Sequence, residues 1–259
     1  MELKYDRGPT ARFLRHFARL PDHTAYRDLF WYDWGPVFYR GRLDASARVI
    51  CVASDPGPTE RVAGRSLVGD AGQRVQGFLS KLGITHSYVC LNAFVYALHP
   101  SKTGGAQPLL RDLEHVRWRN QLFDMVRGPD LEAIVAFGSN AQVAVGLWNA
   151  PPNTTIIQTY HPSYREQSRL LRSWRQAILQ LRALVTPDPD GDPTGPNYGN
   201  GFRESDYTAI PKLDLPFGFP EWFGDDSWGR KASPRHNNCV GRPSPDDEHT
   251  LTWIAPNTA

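Results

Sequence analysis

Four short apolar runs constrain this chain more than any other feature. Each ends in a polar or glycine-rich turn and gives way to a helix-patterned stretch. They are Val49-Ile50-Cys51-Val52-Ala53, Tyr88-Val89-Cys90-Leu91, Ala133-Ile134-Val135-Ala136-Phe137 and Thr155-Ile156-Ile157-Gln158-Thr159. Runs this short, rich in β-branched residues and without polar alternation, mark strands buried on both faces. Strands that alternate with helices take right-handed crossovers and pair in parallel. The expected fold class is therefore α/β, a three-layer α/β/α sandwich with a four-stranded parallel sheet.

Helical spacing of apolar residues predicts helices over 73–82, about 108–126, after Gly138, and over about 166–184. Two short helices are expected between 8 and 29, with Thr10 as a cap and Pro21-Asp22 as the break. The run Phe30-Trp31-Tyr32-Asp33-Trp34, with Phe38 and Tyr39 behind it, reads as a seam packing the N-terminal segment on the core. Past Thr186 the chain turns to Pro, Gly and Asp without periodicity, punctuated by Phe217, Phe219, Trp222, Phe223 and Trp228. The expected organisation is one domain over 1–185 and an extension over 186–259 anchored on it by those rings.

With 29 Lys+Arg against 27 Asp+Glu, the net charge of +2 does not by itself call for nucleic acid, so any positive surface must be local. Cys51, Cys90 and Cys239 show no CxxC spacing, and the first two lie inside strand runs, which reads as buried thiols rather than a metal site. The first residues are charged where a signal peptide needs an apolar run. The protein is expected to be a cytoplasmic, nucleoid-associated monomer without metal or cofactor.

The chemistry gathers at the strand ends. Asp55 in a Pro-Gly-Pro turn, Asn92, Gly138-Ser139 and His161-Pro162-Ser163 each follow one of the four runs. In a parallel sheet these turns face a common cleft. A carboxylate, an amide and an imidazole there suit a reaction in which cationic and anionic charge develop together. Gly and Ser at a helix start suit a phosphate. His99-Pro100-Ser101 repeats the tripeptide of His161, but only His161 directly follows a strand run.

In this order the motifs resemble the uracil-DNA glycosylase superfamily, over about residues 48–184. Val52-Ala53-Ser54-Asp55-Pro56 is similar to the water-activating loop of its best-known family, and Leu91-Asn92 to the strand end that reads uracil. Gly138-Ser139-Asn140-Ala141-Gln142 resembles the phosphate-binding turn, and His161-Pro162-Ser163 the catalytic histidine loop. Residues 64–72, with Pro56-Gly57 and Glu60, look instead like the superfamily's iron–sulfur families. Three departures stand out: Leu67 replaces the phenylalanine that stacks on uracil, Gly57 the tyrosine that blocks the thymine methyl, and Tyr96 a cysteine of the iron–sulfur families. Three cysteines cannot supply a four-thiolate cluster.

The resemblance implies an enzyme that flips uracil, and with Gly57 other damaged bases, out of DNA and hydrolyses its N-glycosidic bond. It implies Asp55 and His161 as catalytic residues and Asn92, Leu67, Ser54 and Gly57 around the base. Thr59, Ser139, Ser163, Tyr164, Arg165 and Lys102 would contact DNA, with Gly57 and Thr59 donating amide protons to phosphates. Arg61, Arg65, Lys102, Arg165 and Arg169 would supply the local charge. A non-catalytic binder of damaged or single-stranded DNA on the same fold is the alternative. A generic nucleotide-binding protein is disfavoured, because the chain lacks GxxxxGK[ST] and a well-placed GxGxxG.

Overall fold

The computed structural model describes residues 5–152, 154–219, 223–224, 240–241 and 252–253. The central sheet has five strands and is mixed, where four parallel strands were expected. They are Arg40–Gly41 (β1), Val49–Ala53 (β2), Tyr88–Asn92 (β3), Ala133–Phe137 (β4) and Thr155–Thr159 (β5), in the order β1-β3-β2-β4-β5. β2, β3, β4 and β5 pair in parallel, while β1 runs antiparallel to β3. Two residues leave no period to read, which is why β1 escapes a pattern argument. Gly41 has φ +93°, and a Cβ there would lie 2.4 Å from the Tyr88 carbonyl oxygen, so only glycine lets β1 approach β3.

Alternation along the strands divides the core. Ile50, Val52, Val89, Leu91, Ile134 and Ala136 face one layer, made by Ala11–Phe17 (α1), Gln107–Arg111 (α4), Leu113–Val126 (α5) and Ser139–Gly146 (α6). Val49, Cys51, Cys90, Val135 and Phe137 face the other, made by Asp70–Ser80 (α3) and Gln167–Leu181 (α7). A short helix, Pro58–Ala63 (α2), sits between β2 and α3. β5 departs from the reading of a strand buried on both faces: it is the sheet's edge, with Ile156 39% exposed and Gln158 exposed as well.

The helix expected over 108–126 is broken at Asp112. Its carboxylate accepts the Glu114 and His115 amide protons, both at 3.2 Å, and so starts α5 as an N-cap. The second N-terminal helix is a 3-10 segment, Thr24–Leu29, and Thr10 stands at the cap of α1 without a side-chain capping bond. Phe30, Trp31, Trp34 and Tyr39 are buried, as a seam requires.

In the extension, Tyr198, Tyr207, Ile210, Leu215 and Phe223 are buried, while Phe217 is 78% exposed with its ring beside Tyr5. Trp222, Trp228 and Cys239 lie outside the described residues. Polar anchors also hold the segment. Asp188 accepts amide protons from Thr85, His86 and Ser87, which hold its carboxyl down at about 2 against the opposing effect of burial. Asp206 pairs with Lys81 at 3.1 Å and Asp214 with Arg40 at 3.0 Å. No helix among the described residues is long and apolar enough to cross a membrane.

Candidate active site

Topology locates the site before any side chain does. From β2 the chain crosses to β3 on one side over one layer, and from β3 it crosses back past β2 to β4 over the other. Ligands of open α/β sheets bind beyond the carboxyl ends of the strands at such a reversal. The register lines these ends up, with Ala53 opposite Asn92 and Phe137 opposite Thr159. Asp55 follows β2 by two residues, Asn92 ends β3, Gly138 follows β4 and His161 follows β5 by two.

Side chains then tie the turns together. Asn140 Nδ2 donates to Ser54 Oγ at 2.9 Å, linking the start of α6 to the turn after β2, and the Gln107 amide donates to Asn140 Oδ1. The Leu98 N–H donates to Asp55 Oδ2 at 3.0 Å, which fixes that carboxylate against the loop after β3. Asn92 is buried, and its Nδ2 is 3.4 Å from Ser66 Oγ, a long bond. Its Oδ1 is buried with no hydrogen-bond partner among the described residues. An orphaned amide oxygen costs about 1–3 kcal/mol, so it calls for an explanation, and a ligand N–H supplies one.

Glu60 organises the two loops above β2. Its Oε1 accepts the Val68 and Gly69 amide protons at 2.8 and 2.9 Å, and its Oε2 accepts that of Gly57 at 2.9 Å. The Gly57 amide is therefore already engaged, and Thr59 is 5% exposed, so neither is presented to a phosphate at the loop surface. A Cβ on Gly57 would lie 2.8 Å from Glu60 Oε2, which gives this glycine a reason in the clamp itself. Leu67 is buried with φ +53°, and its carbonyl fills the space a Cβ on Gly72 would need. A left-handed leucine is strained, and such strain gathers at ligand sites.

His161 is held from three sides. The Ser163 amide donates to its Nδ1 at 3.2 Å, so the neutral ring carries its proton on Nε2. A Cβ on Gly138 (φ +87°) would lie 2.9 Å from the His161 Cβ, so the β4 turn and the histidine loop are in contact. From α3, Arg74 donates to the Pro162 carbonyl at 2.7 Å and to the Tyr207 hydroxyl at 3.0 Å, and pairs with Asp70 at 2.9 Å. Part of the residue stays exposed, yet the ring is closely surrounded. Desolvation first, and then the Arg74 charge, lower its pKa to about 4, so the imidazole is neutral at pH 7.

A family model described as the uracil DNA glycosylase superfamily matches residues 40–182, more than half of the 259-residue chain. The chain belongs to the uracil-DNA glycosylase superfamily. No curated protein matches it. Membership in the superfamily supports a DNA glycosylase, a hydrolase of base-excision repair with DNA as substrate.

On this superfamily fold the remaining expected DNA contacts scatter in quality. Ser139 opens α6 and is exposed, as are Ser163, Arg165 and Lys102, and Tyr164 is half-buried against Tyr160 with ring centroids 4.3 Å apart. Arg65 pairs with Asp6 at 2.7 Å and Arg169 with Glu166 at 2.9 Å, so neither is an unshared cation, and Arg61 lies over the Trp34 ring at 5.0 Å. Tyr96, where the iron–sulfur families carry a cysteine, stacks on Tyr32 at 4.7 Å, and Cys51 and Cys90 are enclosed in the sheet. These side chains do not fit a thiolate-bound cluster. Among these partners of the site Arg74 carries no motif signal, while Asn140, Ser66 and Glu60 lie in the motif stretches without a role of their own being read for them. Gly138→Ala is expected to cost about 1–3 kcal/mol in urea unfolding and to shift the His161 ring resonances in NMR spectra.

Proposed function

We propose that the protein excises uracil from DNA by hydrolysing its N-glycosidic bond after flipping the nucleotide out of the stack. The observation that carries this reading is His161, its Nδ1 accepting the Ser163 N–H, on the same sheet edge as Asp55 and Asn92. Uracil leaves as an anion and the sugar passes through a cationic state. Water adds its oxygen to C1′ as the C1′–N1 bond breaks, the bonding pair departs on the base, and the water proton passes to Asp55 or to solvent. The Asp55 carboxylate stabilises the sugar cation and orients the water, and His161 Nε2–H donates to the base oxygen where negative charge grows. The unpartnered Asn92 Oδ1 accepts the uracil N3–H.

Supporting this assignment, protonation of Nδ1 would set one N–H against the Ser163 N–H and turn the ring away, so activity should fall below about pH 4. Because the Arg74 charge is one cause of that low value, Arg74→Gln should let the His161 pKa rise toward its ordinary 6.5. The acid limb of kcat/KM against pH then moves upward, while an unchanged limb would assign Arg74 a packing role only. The direct test is alkali cleavage of a labelled oligonucleotide containing uracil, hypoxanthine or a thymine mispair, single- and double-stranded. Strand breaks at uracil support the reading. Binding without breaks at any base favours the non-catalytic binder.

A further inference from the structure

Beside the strand-end site, the outer edge of the sheet forms a second polar surface. β5 is the outer strand of the sheet, with no neighbouring strand on its far side among the described residues, and an open groove of about 490 Å³ runs between it and α7. A groove of that volume has room for a small ligand such as a nucleotide. Arg169, Arg172, Gln176 and Gln180 fall on one stripe of α7, and Gln158 and Tyr160 complete the lining from the strand side. From residue 169 to 180 the helix rises about 16 Å. Among the described residues no aspartate or glutamate lines the groove. Arg169 shares its charge with exposed Glu166, but Arg172 is exposed and has no carboxylate partner among the described residues. Tyr160, 37% exposed, stacks on Tyr164 and directly precedes His161.

We propose that this groove holds single-stranded DNA flanking the excised nucleotide, with Tyr160 stacking on a base and Arg172 and Arg169 on phosphates. The inference rests on the glycosylase reading for its continuity with the site. Aromatic stacking beside a basic track is how sequence-tolerant single-strand binding works. A peptide adding to the edge of β5 would use main-chain groups and leave the stripe of donors on α7 without purpose.

The test is fluorescence anisotropy with uracil-free oligo-dT of 4–20 nucleotides and varied salt, on the full chain, Arg172→Gln, Tyr160→Ala and Arg117→Gln. Arg117 is exposed on α5 in the opposite layer and controls for charge loss alone. Wild-type affinity should rise with length, and R172Q should lose three- to tenfold on the longest probes. Its salt slope should flatten by about 0.7, the share of one phosphate contact on a single strand. Y160A should lose roughly tenfold through stacking. Equal behaviour of R172Q and R117Q at every length overturns the groove as a DNA site. Uracil release measured on the same preparation separates the two readings. Release without length-dependent binding overturns the groove alone, and length-dependent binding without release overturns the glycosylase alone.

Discussion

Asp55→Asn and His161→Ala are each expected to slow uracil release by about 100- to 1,000-fold under single-turnover conditions, the usual cost of losing one charge-stabilising group in an enclosed site. Asn at 55 keeps the size of the side chain and an oxygen that accepts the Leu98 N–H, now made at 3.0 Å, so the loop should stay in place. What it removes is the negative charge that the proposed mechanism sets against the sugar cation. Ala at 161 removes the Nε2–H donor and the Ser163-to-Nδ1 bond together, while the Arg74 bond to the Pro162 carbonyl still anchors the loop backbone. Both variants should therefore unfold within a few degrees of the parent and bind uracil DNA with little change. Retention of more than a tenth of the parent rate by either would move the chemistry to another residue, and His99, Nδ1-bonded to Ser101 at 2.8 Å, would be tested next.

β2, β3 and β4 were legible because each is a largely apolar run, and burial on both faces demands that composition, while β5, half-exposed at the sheet edge, was legible from its β-branched residues. Val49–Ala53 and Ala133–Phe137 are fully enclosed, and the periodicity needs no help from outside. β1 was not legible because its place comes from distant partners: the Arg40 side chain reaches Ser66, Gln76, Tyr88, Cys90 and Asp214. The break at Asp112 was masked because Leu109 and Leu110 on one side and Trp118 and Leu122 on the other keep an apolar face continuous across the cap.

At the site, sequence order finds whatever terminates a strand, since Asp55, Asn92, Gly138 and His161 follow strands that can be read. It does not find what meets those residues from elsewhere. Arg74 sits in a stretch whose apolar spacing says only helix, and its reach to the Pro162 carbonyl depends on α3 and α7 sharing one layer. Thr59 is the converse case: its turn context points to a phosphate donor, while in the fold it is buried with its side chain against Gly69.

The largest expected loss of stability comes from Asp214→Ala, about 3–5 kcal/mol, because it strands a buried cation. Arg40 is fully buried, and its Nη1 lies 3.0 Å from Asp214 Oδ2, while Arg42 donates to Asp214 Oδ1 at 2.6 Å and the Tyr88 hydroxyl donates to Oδ2. Burial opposes the Arg40 charge, and Cys90, Tyr88 and Asp214 around it sustain that charge. With the carboxylate gone, Arg40 keeps only neutral acceptors, at Gln76, Ser66, the Tyr88 hydroxyl and Cys90 Sγ, and Arg42 escapes to solvent. The melting temperature should fall on the order of 10 °C, from about 2–4 °C per kcal/mol in a chain near this size. Arg40→Met with Asp214→Leu should be less damaged than either single change, since no unpaired charge remains, and that non-additivity separates charge stranding from lost packing. The site should feel the single change as well, because Arg40 Nε holds the Ser66 carbonyl at 3.1 Å, next to strained Leu67 and beside Asn92. An Asp214→Ala protein that melts with the parent would mean that the extension rests on the domain without bracing it.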